Sequence, residues 1–296
     1  MSPALLIKAM RLPFLTGSLV PVLVVAAWAW GREPLSWERL LLTLIGVGCL
    51  QVGANLINDY FDAMGSDPIN RFITPFSGGS RVIQEGSLSS RAVLNLSVGF
   101  FLAAGACGIL LALAGRPWAL AVGVFGFLAG FLYSATPVAL MSRGLGELVI
   151  FAAFGPVLTW GAGYALSGRF SLESCCLGLP QAWLITAVLW INQFPDFSAD
   201  RTVGKLNLVV RMGTKAARLV YTALMILPFP TILFLWRQFH LSAWIGLAWL
   251  ALPLALAAVR VAWLYHDDPQ KIVPAQGMTI IAHLAVGLLL ALGLLL

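Results

Sequence analysis

Long apolar runs separated by short polar loops are the feature that most constrains the fold of this chain. The runs lie near residues 12–30, 40–56, 92–114, 118–135, 145–166, 177–194, 216–235, 241–264 and 278–296. Each is close to the roughly 20 residues that a helix needs to cross a bilayer. Because backbone polar groups in lipid must be satisfied internally, helices are the structures expected there. We therefore predict an all-α membrane protein, a bundle of about nine transmembrane helices forming one domain over residues 1–296.

Composition and charge agree with a protein that is dissolved in lipid. Hydrophobic residues make up 60% of the chain and charged residues 10%, with a mean hydropathy of +0.91. If the N-terminus is inside, the cytoplasmic loops hold most of the 18 Lys and Arg residues, as the positive-inside rule requires. The basic net charge then needs no nucleic-acid partner. We expect a multi-pass protein of the cell inner membrane, with its first apolar run retained as a helix.

Two acidic clusters stand where long apolar runs end. The first covers residues 55–62 and the second residues 192–201, and with Asp67 between them they hold five of the chain's 12 acidic residues, Asp59, Asp62, Asp67, Asp196 and Asp200. Carboxylates at the end of a membrane helix are costly unless a cation lies between them. The clusters therefore predict a functional site on the cytoplasmic face that holds Mg²⁺ together with a phosphate.

The spacing within the clusters is helical. Asn58 and Asp62 are four residues apart, as are Asp196 and Asp200, so each pair shares one face of a helix. Mg²⁺ prefers oxygen ligands and is usually bound by one or two carboxylates plus substrate phosphates. Each pair thus offers a partly filled shell with positions left for a diphosphate. Pro195 is expected to interrupt the helix and to start a short new one.

A weak internal repeat relates the clusters. The halves cover about residues 1–140 and 141–270, followed by a final helix, and Asp62 and Asp196 occupy corresponding places. Duplicated helical units often bind substrates at their interface. We expect the two clusters to face each other across a central cavity.

Basic loops between the clusters contain groups that suit an anion. Residues 71–81 combine two guanidiniums, three hydroxyls and a Gly-Gly pair, and Arg201 and Lys205 follow the second cluster. The spacing is not that of a Walker loop. A basic loop that only fixes topology remains the alternative for any single residue.

These motifs resemble the UbiA superfamily of intramembrane prenyltransferases, and within it the 1,4-dihydroxy-2-naphthoate prenyltransferases of menaquinone synthesis. The resemblance covers nearly the whole chain. It rests on Asn58-Asp59-x-x-Asp62, Ser77-Gly-Gly-Ser-Arg-Val-Ile-Gln84, Tyr133-Ser-x-x-Pro137, Gly144-Leu-Gly-Glu147, Asp196-x-x-x-Asp200-Arg201-x-x-Gly204-Lys205 and Leu208-Val-Val-Arg211-x-Gly213.

The resemblance implies a set of site residues. Asn58 and Asp62 hold one Mg²⁺, and Asp196 and Asp200 hold the other, on either side of the diphosphate of a polyprenyl donor. The residues expected to take part in catalysis are Asp59, Asp62, Tyr133 and Asp196. Those expected to contact substrate are Arg11, Asn55, Arg71, Ser77, Arg81, Tyr133, Glu147, Asn192, Arg201 and Lys205. For Glu147 two interpretations stay open: it orients the acceptor, or it lies in headgroup water.

The predicted reaction is electrophilic prenylation of an aromatic acceptor, in a cavity that keeps water from an allylic cation. Aromatic side chains near the motifs could stabilise that cation; these are Tyr60, Phe61, Tyr133, Phe194 and Phe197. Within the enzyme class, 4-hydroxybenzoate, homogentisate or a glycerol-phosphate lipid is the alternative acceptor. Outside it, an ion-coupled secondary transporter also fits a duplicated bundle with acidic groups near a cavity.

Overall fold

The computed structural model describes residues 3–32 and 34–296, and these fold into helices joined by loops and turns. The helices are α1 (Pro3–Met10), α2 (Thr16–Trp30), α3 (Trp37–Asp62), α4 (Ser90–Leu113), α5 (Pro117–Ser134), α6 (Gly146–Phe154), α7 (Pro156–Ser167), α8 (Leu172–Cys176), α9 (Leu179–Thr202), α10 (Leu208–Met212), α11 (Thr214–Ile226), α12 (Pro228–Phe239), α13 (Leu252–Tyr265) and α14 (Val273–Leu295).

Nine helical segments in the described part of the chain are long and apolar enough to cross a membrane. They are Leu12–Trp30, Trp37–Asp62, Ser90–Leu113, Pro117–Ser134, Gly146–Ser167, Leu172–Thr202, Thr214–Phe239, Ala243–Tyr265 and Val273–Leu295. Each coincides with one predicted apolar run, so the predicted all-α membrane fold is confirmed. The second and sixth segments extend furthest beyond their runs, because the helices continue into the acidic clusters.

Helix starts follow local sequence signals. The hydroxyl of Ser36 accepts a hydrogen bond from the backbone N–H of Arg39, which caps α3. Ser89 caps α4 and Asn207 caps α10 in the same manner. These side chains satisfy backbone donors that a helix leaves unpaired in its first turn.

The expected interruption at Pro195 is wrong, because α9 is continuous from Leu179 to Thr202. A proline inside a helix leaves the carbonyl four residues earlier without its helical partner. Membrane helices tolerate this where neighbouring helices support the backbone. Here the side chains of Asn192 and Gln193, just before the proline, are hydrogen-bonded to α14 and α6, so the helix is held from outside.

The packed core and the open part of the bundle lie on different sides of α9. Small and branched apolar residues of α2, α9, α11 and α14 form a buried cluster, in which Ala187, Ala275 and Ala282 are fully buried. On the other side, residues of α2 to α7 and of α9 line a cavity. The carboxyl-terminal ends of α3 and α9 therefore meet at the mouth of that cavity.

Candidate active site

The two acidic clusters meet at the ammonium group of Lys205. Its Nζ lies 3.1 Å from both carboxylate oxygens of Asp62 and 3.7 Å from Oδ1 of Asp200. Burial disfavours the charged amine, but Asp62 and Asp200 outweigh this and raise the pKa of Lys205 above its ordinary value. The ends of α3 and α9 are thus joined through one partly buried cation.

The aspartates of the second cluster are oriented by asparagines. Asn70 lies in the loop after α3 and donates from Nδ2 to Oδ1 of Asp196 at 2.7 Å. Asn207 donates to Oδ2 of Asp200 at 2.9 Å while its own Oδ1 caps α10. Neither asparagine was among the predicted site residues. Asn207 carries an N-cap signal that could have drawn attention to it, whereas Asn70 has no such signal.

The first cluster has the predicted helical geometry. Asn58 donates from Nδ2 to Oδ2 of Asp62 at 3.0 Å and to Oγ of Ser134 at 3.0 Å, which leaves its Oδ1 free to accept or to ligate. Asp59, three residues before Asp62 on α3, is buried, pairs with Arg11 and accepts from the backbone N–H of Ser80 at 3.3 Å. Burial lowers the pKa of Arg11, but Asp59, Asp67 and Asp62 raise it overall.

Asp67 ties the loop of residues 63–89 to the first cluster. Its backbone carbonyl accepts from Nη1 of Arg81 at 2.5 Å, and its Oδ2 accepts from Nε2 of Gln84 at 3.1 Å. Burial, together with the charges of Asp62 and Asp59, raises the pKa of Asp67 to about 7. The backbone passes close to this group at Gly79, where an added Cβ would lie 2.7 Å from Oδ2 of Asp67.

The remaining predicted contact residues divide into two groups. Arg11, Asn55, Tyr133 and Asn192 line the cavity near the acidic clusters, and Ser77 is buried nearby with its hydroxyl 2.9 Å from that of Thr74. Arg71 and Arg201 are exposed, and neither forms an ion pair with a carboxylate in the described part of the chain. The structure therefore brings the first group together and leaves these two arginines outside.

Glu147 is buried in the helical bundle and does not lie in headgroup water, so that interpretation is wrong. Only 3% of its surface is exposed. Its Oε1 accepts from Nε2 of Gln193 at 3.0 Å and from the backbone N–H of Leu208 at 3.0 Å. The carboxylate thus connects the start of α6 with α9 and the start of α10.

The cavity has a volume of about 310 Å³ and a polar end. The polar end carries Arg11, Asn55, Asn58, Tyr133 and Asn192; towards the other end it is walled mainly by apolar residues of α3, α4, α5 and α7. Of the aromatic residues named above as able to stabilise the allylic cation, Tyr133 lines the cavity, and Tyr60, Phe61, Phe194 and Phe197 do not. Four phenylalanines that were not predicted to take part line it instead: Phe14, Phe76, Phe125 and Phe154.

The donor set fits Mg²⁺ only if a ligand supplies further oxygens. In residues 3–32 and 34–296, no three His, Cys, Asp or Glu side chains form a group that could hold a metal ion. Each cluster instead offers a pair of oxygen ligands, and the ammonium group of the Lys205 side chain lies beside them. A divalent ion held by one or two carboxylates plus phosphate oxygens suits such a set.

Comparison with known proteins places these features in one family. A model described as the UbiA prenyltransferase family matches residues 18–295. The 1,4-dihydroxy-2-naphthoate octaprenyltransferase of Escherichia coli (strain K12) is 31% identical in an alignment of 299 positions that covers 97% of this chain and 94% of the relative. The enzyme of the same description from Mycobacterium tuberculosis is 29% identical over 249 residues, 82% of this chain and 81% of the relative.

Solved structures show the same fold. The apo structure of a UbiA homolog from Aeropyrum pernix K1 superimposes with a TM-score of 0.71 at 17% identity, covering 93% of this chain and 95% of that one. A UbiA homolog from Archaeoglobus fulgidus, bound to GPP and Mg²⁺, gives a TM-score of 0.64 at 14% identity and covers 96% and 98%. At these identities the likeness concerns the helical bundle.

Proposed function

Because this chain belongs to the UbiA prenyltransferase family, we propose that it transfers a polyprenyl group from a polyprenyl diphosphate to an aromatic acceptor in a Mg²⁺-dependent reaction. The observation that carries this proposal is the meeting of Asp62 and Asp200 at Lys205, at the polar mouth of a largely apolar cavity. Such a mouth suits a diphosphate, and such a cavity suits a hydrocarbon chain. The family match favours this enzyme over an ion-coupled carrier.

The aspartates and Lys205 bind the diphosphate end. Asn58 and Asp62 would hold one Mg²⁺ and Asp196 and Asp200 the other, and bound Mg²⁺ neutralises a leaving diphosphate. The structure leaves Oδ1 of Asn58 without a competing bond, since its Nδ2 makes the contacts to Asp62 and Ser134. Lys205 adds a fixed positive charge beside Asp62 and Asp200, which suits an anion that bridges the clusters.

The cavity walls protect the reacting carbon and receive the prenyl chain. The apolar helices that line the cavity would limit the access of water, which would otherwise capture an allylic cation. Tyr133 lines the cavity near the clusters, where a desolvated cation–π contact would be worth roughly 2 kcal/mol or more. The acceptor ring then attacks the allylic carbon and forms a carbon–carbon bond, while the bond from that carbon to the diphosphate oxygen breaks.

For the acceptor we favour 1,4-dihydroxy-2-naphthoate, on the strength of the relatives from Escherichia coli and Mycobacterium tuberculosis that carry this description. Attack at the carbon bearing the carboxylate would release that group as CO₂. The product is then a prenylated naphthalene-1,4-diol, the hydroquinone form of an intermediate in menaquinone biosynthesis. The alternative acceptors are 4-hydroxybenzoate, homogentisate and a glycerol-phosphate lipid.

The chain is a multi-pass membrane protein, and we propose that it lies in the cell inner membrane with its active site on the cytoplasmic face. The support is the distribution of basic loops, which the positive-inside rule assigns to the cytoplasm. Polyprenyl donor and aromatic acceptor would both reach the cavity from that side or from the bilayer.

Product formation by the purified protein tests this proposal. Labelled polyprenyl diphosphate, Mg²⁺ and 1,4-dihydroxy-2-naphthoate should give a prenylated naphthalene product, and a panel of the alternative acceptors should give less. Asp62→Ala and Asp196→Ala should abolish the product, whereas Asp268→Ala, at a partly exposed loop aspartate paired with Lys271, should not. Product formation by the Asp62→Ala protein at the wild-type rate would refute the assignment.

A further inference from the structure

Gln276 and Asn192 form a polar pair between the last helix and the cavity. Gln276 of α14 is fully buried and donates from Nε2 to Oδ1 of Asn192 at 2.9 Å. Asn192 lines the cavity one helical turn before Asp196 on α9. Because its Oδ1 is occupied by Gln276, the Nδ2 group of Asn192 is the donor that remains for a molecule in the cavity.

The position of Asn192 indicates which chemical group could accept a hydrogen bond from its Nδ2 group. A prenyl chain has no polar atom to accept a hydrogen bond. A diphosphate is drawn to the cations at the clusters, about 5 Å nearer the loops by the rise of one helical turn. A ring oxygen of the aromatic acceptor, placed beside the allylic carbon, is the group that fits between these two.

We propose that Asn192 binds a ring oxygen of the aromatic acceptor and that Gln276, which does not touch the cavity, is the positioning residue that turns the Asn192 amide towards it. This inference rests on the proposed prenyl transfer. A second property of Gln276 agrees with a role beyond packing. Its Oε1 is buried with no hydrogen-bond partner among the described residues, which is a costly arrangement for a residue that only fills space.

A double-mutant cycle tests whether Gln276 acts through Asn192. Gln276→Met keeps the side-chain length and removes the donor, so the KM for the acceptor should rise about three- to tenfold, the range expected for one net hydrogen bond. The KM for polyprenyl diphosphate should change less than about twofold. Asn192→Ala should raise the acceptor KM at least as much, and in that background Gln276→Met should have no further effect.

The matched control is Thr279→Val, one turn further along α14. Thr279 is fully buried as well, but its hydroxyl bonds to Tyr221 and not to a cavity residue, so its loss should leave the acceptor KM unchanged. An acceptor KM that stays at the wild-type value in Asn192→Ala overturns the inference, even if Gln276→Met fails to fold. Full additivity of the two substitutions overturns it too. If the wild-type protein transfers no prenyl group to any acceptor, the proposed function itself has failed.

Discussion

At the scale of single residues, the site depends on backbone positions that few side chains tolerate. Arg11 and Arg81 both have positive φ, 51° and 64°, and Gly79 between the acidic groups has φ of 77°. A left-handed conformation costs a residue with a Cβ about 1 to 2 kcal/mol. Both arginines nevertheless bond to the acidic region, Arg11 to the Asp59 carboxylate and Arg81 to the backbone of Asp67, so the strain coincides with the candidate site.

Gly79→Ala should therefore lower activity by more than the strain of its positive φ alone would cause. The new Cβ would lie 2.7 Å from Oδ2 of Asp67 and 3.3 Å from Oδ1 of Asp59. Gly86→Ala is the matched control, since Gly86 also has a positive φ, of 68°, but no atom within 4 Å of the added Cβ. We expect the Gly79 variant to lose most activity and the Gly86 variant only stability of about 1 to 2 kcal/mol. Equal activities of the two variants would contradict this account.

Asp67 gives stability a predictable dependence on pH. Its pKa of about 7 in the folded protein exceeds the ordinary value of about 4, so the folded state binds the proton more tightly than the unfolded state. Stability from this group is complete below about pH 4 and is lost as the pH rises to about 7. Asp67→Asn has no carboxyl group to ionise, so it should remove this loss of stability at high pH.

The melting temperature of Asp67→Asn relative to wild type, measured in detergent without divalent cations, should be higher at pH 8 than at pH 5. A difference of a few degrees is expected, roughly 2 to 4 °C for each kcal/mol in a chain somewhat smaller than this one. If the gain is the same at both pH values, the charge of Asp67 is not a cost to the fold.

At the scale of secondary-structure elements, α9 is the helix that organises the site. It carries Asp196 and Asp200, and its proline removes one of its own hydrogen bonds. Neighbours on three sides hold it: α14 through Asn192, α6 through Gln193, and the loop after α3 through Asn70 and Asp196. The second cluster is therefore positioned by the whole bundle and not by α9 alone.

Glu147 should contribute to stability because its carboxylate connects α6 with α9 and with the start of α10. Glu147→Leu would leave the Gln193 amide and the Leu208 backbone N–H without acceptors, at about 1 to 3 kcal/mol for each buried donor. Glu147→Gln keeps an oxygen in the place of Oε1 and should cost less. Thermal unfolding in detergent compares them, and equal melting temperatures for the Leu and Gln variants would show that the two hydrogen bonds do not matter.

At the scale of the whole molecule, the bundle encloses a cavity whose width is set by small residues. Gly123 of α5 lines the cavity, and no atom lies within 4 Å of an added Cβ. A larger side chain there can enter the cavity without disturbing the backbone of its neighbours. The space available to a hydrocarbon chain would then shrink.

Gly123→Leu should slow transfer from long polyprenyl diphosphates more than transfer from geranyl diphosphate. Gly99→Leu is the control, because Gly99 is exposed on α4 and also has free space around its Cβ. Relative rates with long and short donors measure the effect. An unchanged ratio in the Gly123 variant would mean that the prenyl chain does not occupy this part of the cavity.

The helices could be predicted from sequence because membrane spans have a simple physical signature. Each of the nine apolar runs falls in a helical segment of the described chain that is long and apolar enough to cross a membrane. The contact between Asn58 and Asp62 could also be predicted, because it depends only on their spacing within one helix. What could not be predicted depends on distant contacts: the continuity of α9 through Pro195, the burial of Glu147, and the asparagines Asn70 and Asn207 that orient the aspartates. Cavity-lining aromatics such as Phe14 and Phe154 were missed for the same reason, since only the packed bundle shows which faces meet.

Binding of a non-reactive polyprenyl diphosphate analogue, with and without Mg²⁺, tests most directly whether both halves of the chain grip one diphosphate. Wild-type protein should bind the analogue at least tenfold more tightly with Mg²⁺, by roughly 1.4 kcal/mol or more. Asp62→Asn in α3 and Asp196→Asn in α9 should each remove that gain. If either substitution leaves the Mg²⁺-dependent affinity at the wild-type value, the two acidic clusters do not share one ligand and the account is contradicted.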